Sequence, residues 1–192
     1  MELREVLRRR RMVRRYEARP VDEAVLTRLL EAAQRGPSAG HAQPLVLVVV
    51  RDPAVRGELA RASWSRGARP DGGDVTVIFG GDLWREAERY GARGAGKYLY
   101  MDVAYAALLF MLSAVDEGLG TGFIGDFHEE HVQAALALPP HVVPCGMVIV
   151  GHPAEQAAPR PRRPWTEVVH RDRHTPPYDW SPRRLPPASA ST

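Results

Sequence analysis

Apolar positions along this chain fall into blocks of helical and strand period separated by short polar turns, and the blocks predict its elements. Residues 2 to 11 read as a short basic helix with Leu3, Val6 and Leu7 on one side, followed by a turn-like stretch from Tyr16 to Pro20. Asp22 is suited to cap a second helix, along which Val25, Leu26, Leu29, Leu30 and Ala33 recur at helical spacing up to Gly36. The unbroken run Leu45 to Val50 predicts a buried strand, and Val75 to Gly80 and Pro144 to Gly151 predict two more. Asp52-Pro53 opens a helix that reaches about Ser63, ahead of a polar, glycine-containing surface loop from Arg66 to Asp74. From Lys97 to Glu117 apolar residues occupy nearly every face, which predicts a central buried helix ended by Gly118. Residues 83 to 96 show no clear period and read as a mobile, lid-like segment. Gly118 to Phe127 reads as a loop of high glycine density, and His128 to Leu138 as a short helix stopped by Pro139-Pro140.

Composition changes this picture mainly at the C-terminus. With 192 residues, 44% hydrophobic and 26% charged, the chain is sized for one domain with a real core, or a domain with an arm. Nine of its 17 prolines lie in the last 40 residues, which excludes a regular helix there. The expected division is a core over 1–152 and a proline-rich arm over 153–192. Trp165, Tyr178 and Trp180 in the arm need apolar surface, so the arm is expected to wrap over its own core or over a second subunit.

The formal charge is +3, and the basic residues are arginines except Lys97. Six arginines fall between Arg8 and Arg15. Such a face also suits nucleic acid, but the interleaved aromatics and recognition-helix pattern of that kind of module are missing, so no nucleic-acid partner is expected. The single cysteine, Cys145, supports no internal disulfide and reads as a small buried hydrophobe. His128 and His131, flanked by Glu129 and Glu130, imitate a metal pair but read as a surface helix face, and no metal is expected. Charge begins at Glu2 and Arg4 with no signal-peptide core, and the longest apolar stretch, Val103 to Val115, is too short for a bilayer. The expectation is a cytoplasmic protein with no membrane partner.

The stretch with the most candidate chemistry is the polar junction Arg35 to Pro44, which runs straight into the first apolar strand. It brings backbone N–H groups and the side chains of Ser38, His41 and Gln43 to one edge of a core sheet, where they can hydrogen-bond a flat polar ring or a phosphate.

Four features in this order and spacing resemble the nitroreductase-like flavoprotein family, over essentially the whole chain from about Leu3 to about His170. They are Arg10-Arg11-Met12-Val13-Arg14, the loop Pro37-Ser38-Ala39-Gly40-His41-Ala42-Gln43-Pro44, the glycine-rich stretch ending in Ile124-Gly125, and Arg160-Pro161-Arg162. The resemblance implies an α+β fold with a central, mainly antiparallel sheet flanked by helices, an extended C-terminal arm, and a homodimer with FMN at the subunit interface. The first element matches Arg-Arg-Ser-x-Arg, in which Arg10 would meet the FMN phosphate and Arg14 the pyrimidine side of the ring. The Pro37 to Pro44 loop matches Pro-Ser-x-x-Asn-x-Gln-Pro, which reaches the flavin from the neighbouring subunit. Ile124-Gly125 falls where the family presents a backbone N–H to flavin N5, and Arg160 and Arg162 match a Lys-x-Arg pair that grips the phosphate.

Arginines suit a phosphate because each guanidinium donates two coplanar hydrogen bonds. A positive charge at the N1–O2 edge stabilises the reduced anionic ring. Met12 stands where the family has serine, His41 where it has asparagine, and Leu45 where tryptophan is common, which alters the cofactor contacts more than the fold.

The implied activity is an FMN-dependent, ping-pong NAD(P)H oxidoreductase. Hydride passes from NAD(P)H to the flavin, and a nitroaromatic, quinone or related electron-poor small molecule then takes the reducing equivalents, with no side-chain nucleophile and no metal. Relatives with the same fold bind deazaflavin or carry out dehalogenation, ring fragmentation or dehydrogenation, and these remain alternatives, with a basic module in which Arg8 to Arg15 contacts nucleic acid as the non-enzymatic one.

Overall fold

Four strands carry the fold: β1 (Leu45–Val50), β2 (Val75–Asp82), β3 (Gly120–Ile124) and β4 (Val142–Gly151). They lie in the order β1-β2-β4-β3 with every neighbouring pair antiparallel. The structure is a computed structural model that describes residues 1–65 and 67–174.

Both faces of the sheet are covered. On β2, Val75, Val77 and Phe79 face one layer while Ile78 faces the other. The first layer is α2 (Glu23–Gln34) with α5 (Leu99–Asp116), and the second is α3 (Pro53–Ala62) with α6 (Glu129–Ala135). A strand buried on both sides takes apolar residues at nearly every position, which is why the central β2 and β4 read as continuous apolar runs, whereas the edge strand β1 is apolar but only partly buried.

Helix starts follow the sequence closely. The Asp22 carboxylate accepts from the N–H groups of Ala24 and Val25, and the Asp52 carboxylate does the same for Ala54 and Val55, with Pro53 in the first turn.

Three expectations are corrected. The stretch read as lid-like is α4 (Leu83–Arg93), capped by the Asp82 carboxylate on the N–H groups of Trp84 and Arg85 and continued by a π-helical turn, Gly94–Tyr98. Its period was hidden because the buried position between Leu83 and Tyr90 holds an acid, Glu86. The glycine-rich stretch read as a loop contains β3, whose glycines accept another backbone against them. Helix α5 is not buried all round: Leu99, Val103, Ala106 and Phe110 face the core, while Met101, Tyr105 and Leu108 are 40%, 41% and 43% exposed. The continuous helical run Leu83–Asp116 is long and apolar enough by composition to cross a membrane, yet the inner face of α5 is the centre of this core.

The chain divides into two compact units, Met1–Ala158 and Pro159–Thr192. The first extends past Gly151 because Ala154 donates to the Arg15 carbonyl and the Glu155 carboxylate accepts from the Arg14 N–H. In the described part of the second, Trp165–Glu167 forms one 3-10 turn. Tyr178 and Trp180, expected to anchor the arm, lie outside the described residues.

Candidate functional site

At the β3 edge of the sheet the chain from Arg10 to Tyr16 is laid down as extended backbone. Helix α1 (Leu3–Arg9) ends where the Arg10 N–H closes its last turn on the Val6 carbonyl. Met12 then bridges Thr121 in parallel, and the Val13 N–H donates to the Thr121 carbonyl at 2.8 Å. Val13 is buried, so alternation turns Met12 and Arg14 outward. The Tyr16 hydroxyl donates back to the Val13 carbonyl at 2.9 Å, and burial pushes that phenol well above its ordinary value.

The Glu155 carboxylate accepts from the backbone N–H groups of Arg14 at 2.7 Å and Arg15 at 3.3 Å, and from Arg15 Nε at 3.1 Å. These bonds, the Arg14 N–H foremost, hold its carboxyl below the usual carboxylate range. Pairing at Thr121 lays the Arg10 to Arg14 segment along β3, the strand that ends at Ile124 just before Gly125, so two of the four sequence-predicted elements share one edge of the sheet. A Cβ built on Gly122 would lie 2.7 Å from the Val13 carbonyl oxygen, so only glycine permits this approach.

The loop Pro37 to Pro44 lies at the other edge, where it enters β1. It is held in an unusual conformation: Gly40, His41 and Gln43 have φ of 52°, 61° and 51°. Two non-glycine residues in the left-handed region within three positions are costly and persist only where surrounding bonds fix them. The bonds are present. Ser38 Oγ accepts from the Gln43 N–H at 3.0 Å, Arg89 Nη1 donates to the Gly40 carbonyl at 2.9 Å, and Asp102 Oδ2 accepts from the Ala39 N–H at 2.8 Å. The Gln43 amide and His41 Nε2 lie 3.0 Å apart, and both side chains are exposed.

A cleft of about 480 Å³ opens here between Gly36, Pro37, Ser38, Gln43, Leu47 and Asp102. A second, of about 530 Å³, lies between Gly40–Ala42 and Arg85, Glu88 and Arg89 of α4. The two candidate regions sit at opposite edges of a four-stranded sheet, three strand spacings or about 14 Å apart. Ile124 and the loop share one end of it, whereas Met12 pairs with Thr121 and Tyr16 with Pro153, toward the Gly151 end of β4. The register runs Ile124, Met147, Ile78, Val48 across the sheet, and both the chain leaving Ile124 and the loop entering Leu45 lie toward the Val142 end of β4.

Arg160 and Arg162, exposed, belong to the second unit. Two acids that the sequence reading passed over stand behind the loop. Asp102 is the lone acid on the inner face of an otherwise apolar helix, which is the signal that marks it. Glu86 is wholly buried, and burial, with Asp102 beside it, pushes its carboxyl up to about 7. Cys145 is half-buried on β4, and burial pushes its thiol up to about 12, which makes it an inert packing group.

The sequence profile described as "Nitroreductase family" matches residues 7–78 and 63–152. A protein named NADH dehydrogenase from Thermus thermophilus is 34% identical over 188 residues, covering 84% of this chain and 91% of its own. An NADPH-dependent oxidoreductase from Staphylococcus epidermidis is 24% identical over 185 residues, covering 88% of this chain and 73% of its own. Among solved structures, nitroreductase A from Vibrio parahaemolyticus superposes with a TM-score of 0.83 at 23% identity, covering 91% of this chain and 77% of its own. A nitroreductase family protein from Streptococcus pneumoniae gives 0.81 at 21% identity, covering 88% of this chain and all of its own.

Proposed function

The chain belongs to the nitroreductase family and is an NAD(P)H-linked oxidoreductase, and from that premise we propose that it is an FMN-dependent homodimer acting on nitroaromatic, quinone or similarly electron-poor small molecules. The observation that supports this reading is the docking of the Arg10–Arg14 segment on β3 at Thr121, the strand that leads into Ile124-Gly125, with the strained polar loop at the opposite edge of the sheet.

The residues fit the cofactor. The outward-facing Arg14 and the half-buried Arg10 on an extended backbone suit an anionic ring edge and a phosphate. Arg10 would hold the phosphate, Arg14 would face the N1–O2 edge, and the Ile124-Gly125 backbone would donate to N5. The assignment of Arg160 and Arg162 to the phosphate rests on the sequence resemblance alone. Bound FMN supplies hydride acceptance from NAD(P)H and onward transfer to the acceptor. Arg14, as a fixed positive charge, raises the affinity of the site for the reduced form relative to the oxidised one.

One subunit cannot close this site by itself. Strand β1, which the Ser38, His41 and Gln43 loop enters, lies about 14 Å from β3, and this separation supports a dimer in which a second copy brings its own loop to the first copy's arginines. The uncovered face of α5, with Met101, Tyr105 and Leu108, supplies apolar surface of the kind such an interface buries.

The test is the visible spectrum of the purified protein, release and identification of any chromophore by heating, and its mass in solution. A yellow dimer that releases FMN and is bleached by NADH or NADPH is expected. A colourless protein that takes up no added FMN overturns the reading, and release of a deazaflavin instead moves the activity to that chemistry.

A further inference from the structure

Glu86 is 0% exposed, and neither of its carboxyl oxygens has a donor among the described residues. The charged group that bears on it is the Asp102 carboxyl across the α4–α5 contact. Arg85 and Arg89 on its own helix and Lys97 in the following turn are exposed, and Asp82 is committed to capping α4. Two carboxylates have no proton to share and repel, so this pair is at rest only when one carries a proton and donates it to the other.

The same Asp102 carboxyl that bears on Glu86 accepts the Ala39 N–H at 2.8 Å. A chain of contacts therefore runs from a buried acid in α4, through Asp102 in α5, to the backbone of the left-handed Ala39–Gln43 turn.

We propose that Glu86 is a positioning residue: buried as the neutral acid, it donates its proton to the Asp102 carboxylate and so fixes the Ala39 N–H and the Pro37–Pro44 loop in the geometry that the flavin site uses. The proposal rests on the FMN reading for what the loop is positioned toward, but not for the pair itself. When Glu86 loses its proton, two negative charges share one dry space. The cheapest relief is movement of Asp102 toward the cleft it lines with Pro37, Ser38 and Gln43, which releases Ala39. The loop should then loosen as pH rises.

Two measurements test this on the full chain. In wild type, protection of the Ala39 amide from hydrogen exchange, corrected for intrinsic rate, should fall as pH rises from about 6 to about 8.5, by up to about tenfold per pH unit for one linked proton. The FMN dissociation constant should rise over the same range with the same slope. Glu86→Gln keeps a neutral donor and cannot titrate, so its affinity should match wild type at about pH 6 and stay flat to about pH 8.5. Constant Ala39 protection across this range, or a Glu86→Gln profile that parallels wild type, overturns the proposal. If no FMN binds at any pH, the cofactor reading fails, and the exchange experiment still decides the role of Glu86, because it needs neither cofactor nor variant.

Discussion

The β3 edge and the β1 edge hold their candidate residues by opposite means. At β3 the backbone does the holding: Arg10 to Tyr16 pairs with the strand through Met12 and Val13, is tied by Tyr16 and Glu155, and approaches closely because position 122 lacks a side chain. At β1 the loop leaves regular geometry, and it is restrained by its own Ser38 side chain and by side chains from two other parts of the chain, Arg89 of α4 and Asp102 of α5. Backbone pairing gives a rigid platform, and the Glu155 carboxylate that helps to hold it is stabilised in its charged form by the Arg14 N–H, so this tie is lost only as pH falls. A loop held by carboxylates and a guanidinium can be adjusted, because each restraint answers to charge.

The largest effect should come from breaking the platform. Gly122→Val places a branched side chain where even a Cβ would lie 2.7 Å from the Val13 carbonyl oxygen and 3.1 Å from the Ala68 Cβ, so the N-terminal segment must lift off β3. Expected are about 3 kcal/mol lost in urea denaturation and no measurable FMN uptake. Unchanged stability would show that the close approach is not needed.

Arg14→Ala tests the charge on an intact platform. Its side chain is exposed, so the urea midpoint should hardly move, whereas flavin affinity should fall about 10- to 100-fold, the worth of one charge-assisted contact. Equal affinities in the two proteins would remove Arg14 from the cofactor site.

pH separates the two edges by sign. Unfolded, Glu86 releases its proton near the ordinary value of 4.5, and folded it keeps it to about 7. The native state therefore binds the extra proton between those values, and stability from this group falls as pH rises through that window, by about 1–3 kcal/mol. Glu86→Gln should abolish that slope and be the more stable protein at about pH 8. Urea midpoints of both proteins across the window check it, and identical slopes would exclude Glu86 as the source.

The smallest effect is at Ser38. Ser38→Ala removes the acceptor of the Gln43 N–H in an exposed loop and should cost about 0.5–1 kcal/mol, with exchange at the Gln43 amide quickened and the β3 edge untouched. Quickened exchange at Val13 as well would mean that the two edges are coupled within one subunit.

Much of the architecture was legible because burial on both faces and helix capping leave local marks. Three strands appear as apolar runs, and Asp22 and Asp52 announce their helices. Helix α4 was missed, although its cap Asp82 is of the same kind, because Glu86 interrupts the apolar period that a reader counts. Strand β3 was missed because its glycines have no intrinsic preference for strand and serve a neighbour 109 residues away in the chain, Thr121 paired with Met12. The arginines and the Pro37 to Pro44 loop were named from the family resemblance, and the structure pairs Met12 and Val13 with Thr121 of β3 while leaving Arg160 and Arg162 in a separate unit.

The sequence by itself determined three of the strands, the starts of the helices at Asp22 and Asp52, and, through its ordered motifs, the family whose resemblance implies the α+β fold. Only the tertiary structure decided which edge each motif occupies, that one subunit's loop and arginines stand apart, and that Glu86 meets Asp102. Those facts are distances between residues remote in sequence, and strand order and helix packing set them, which no local pattern of polar and apolar positions encodes.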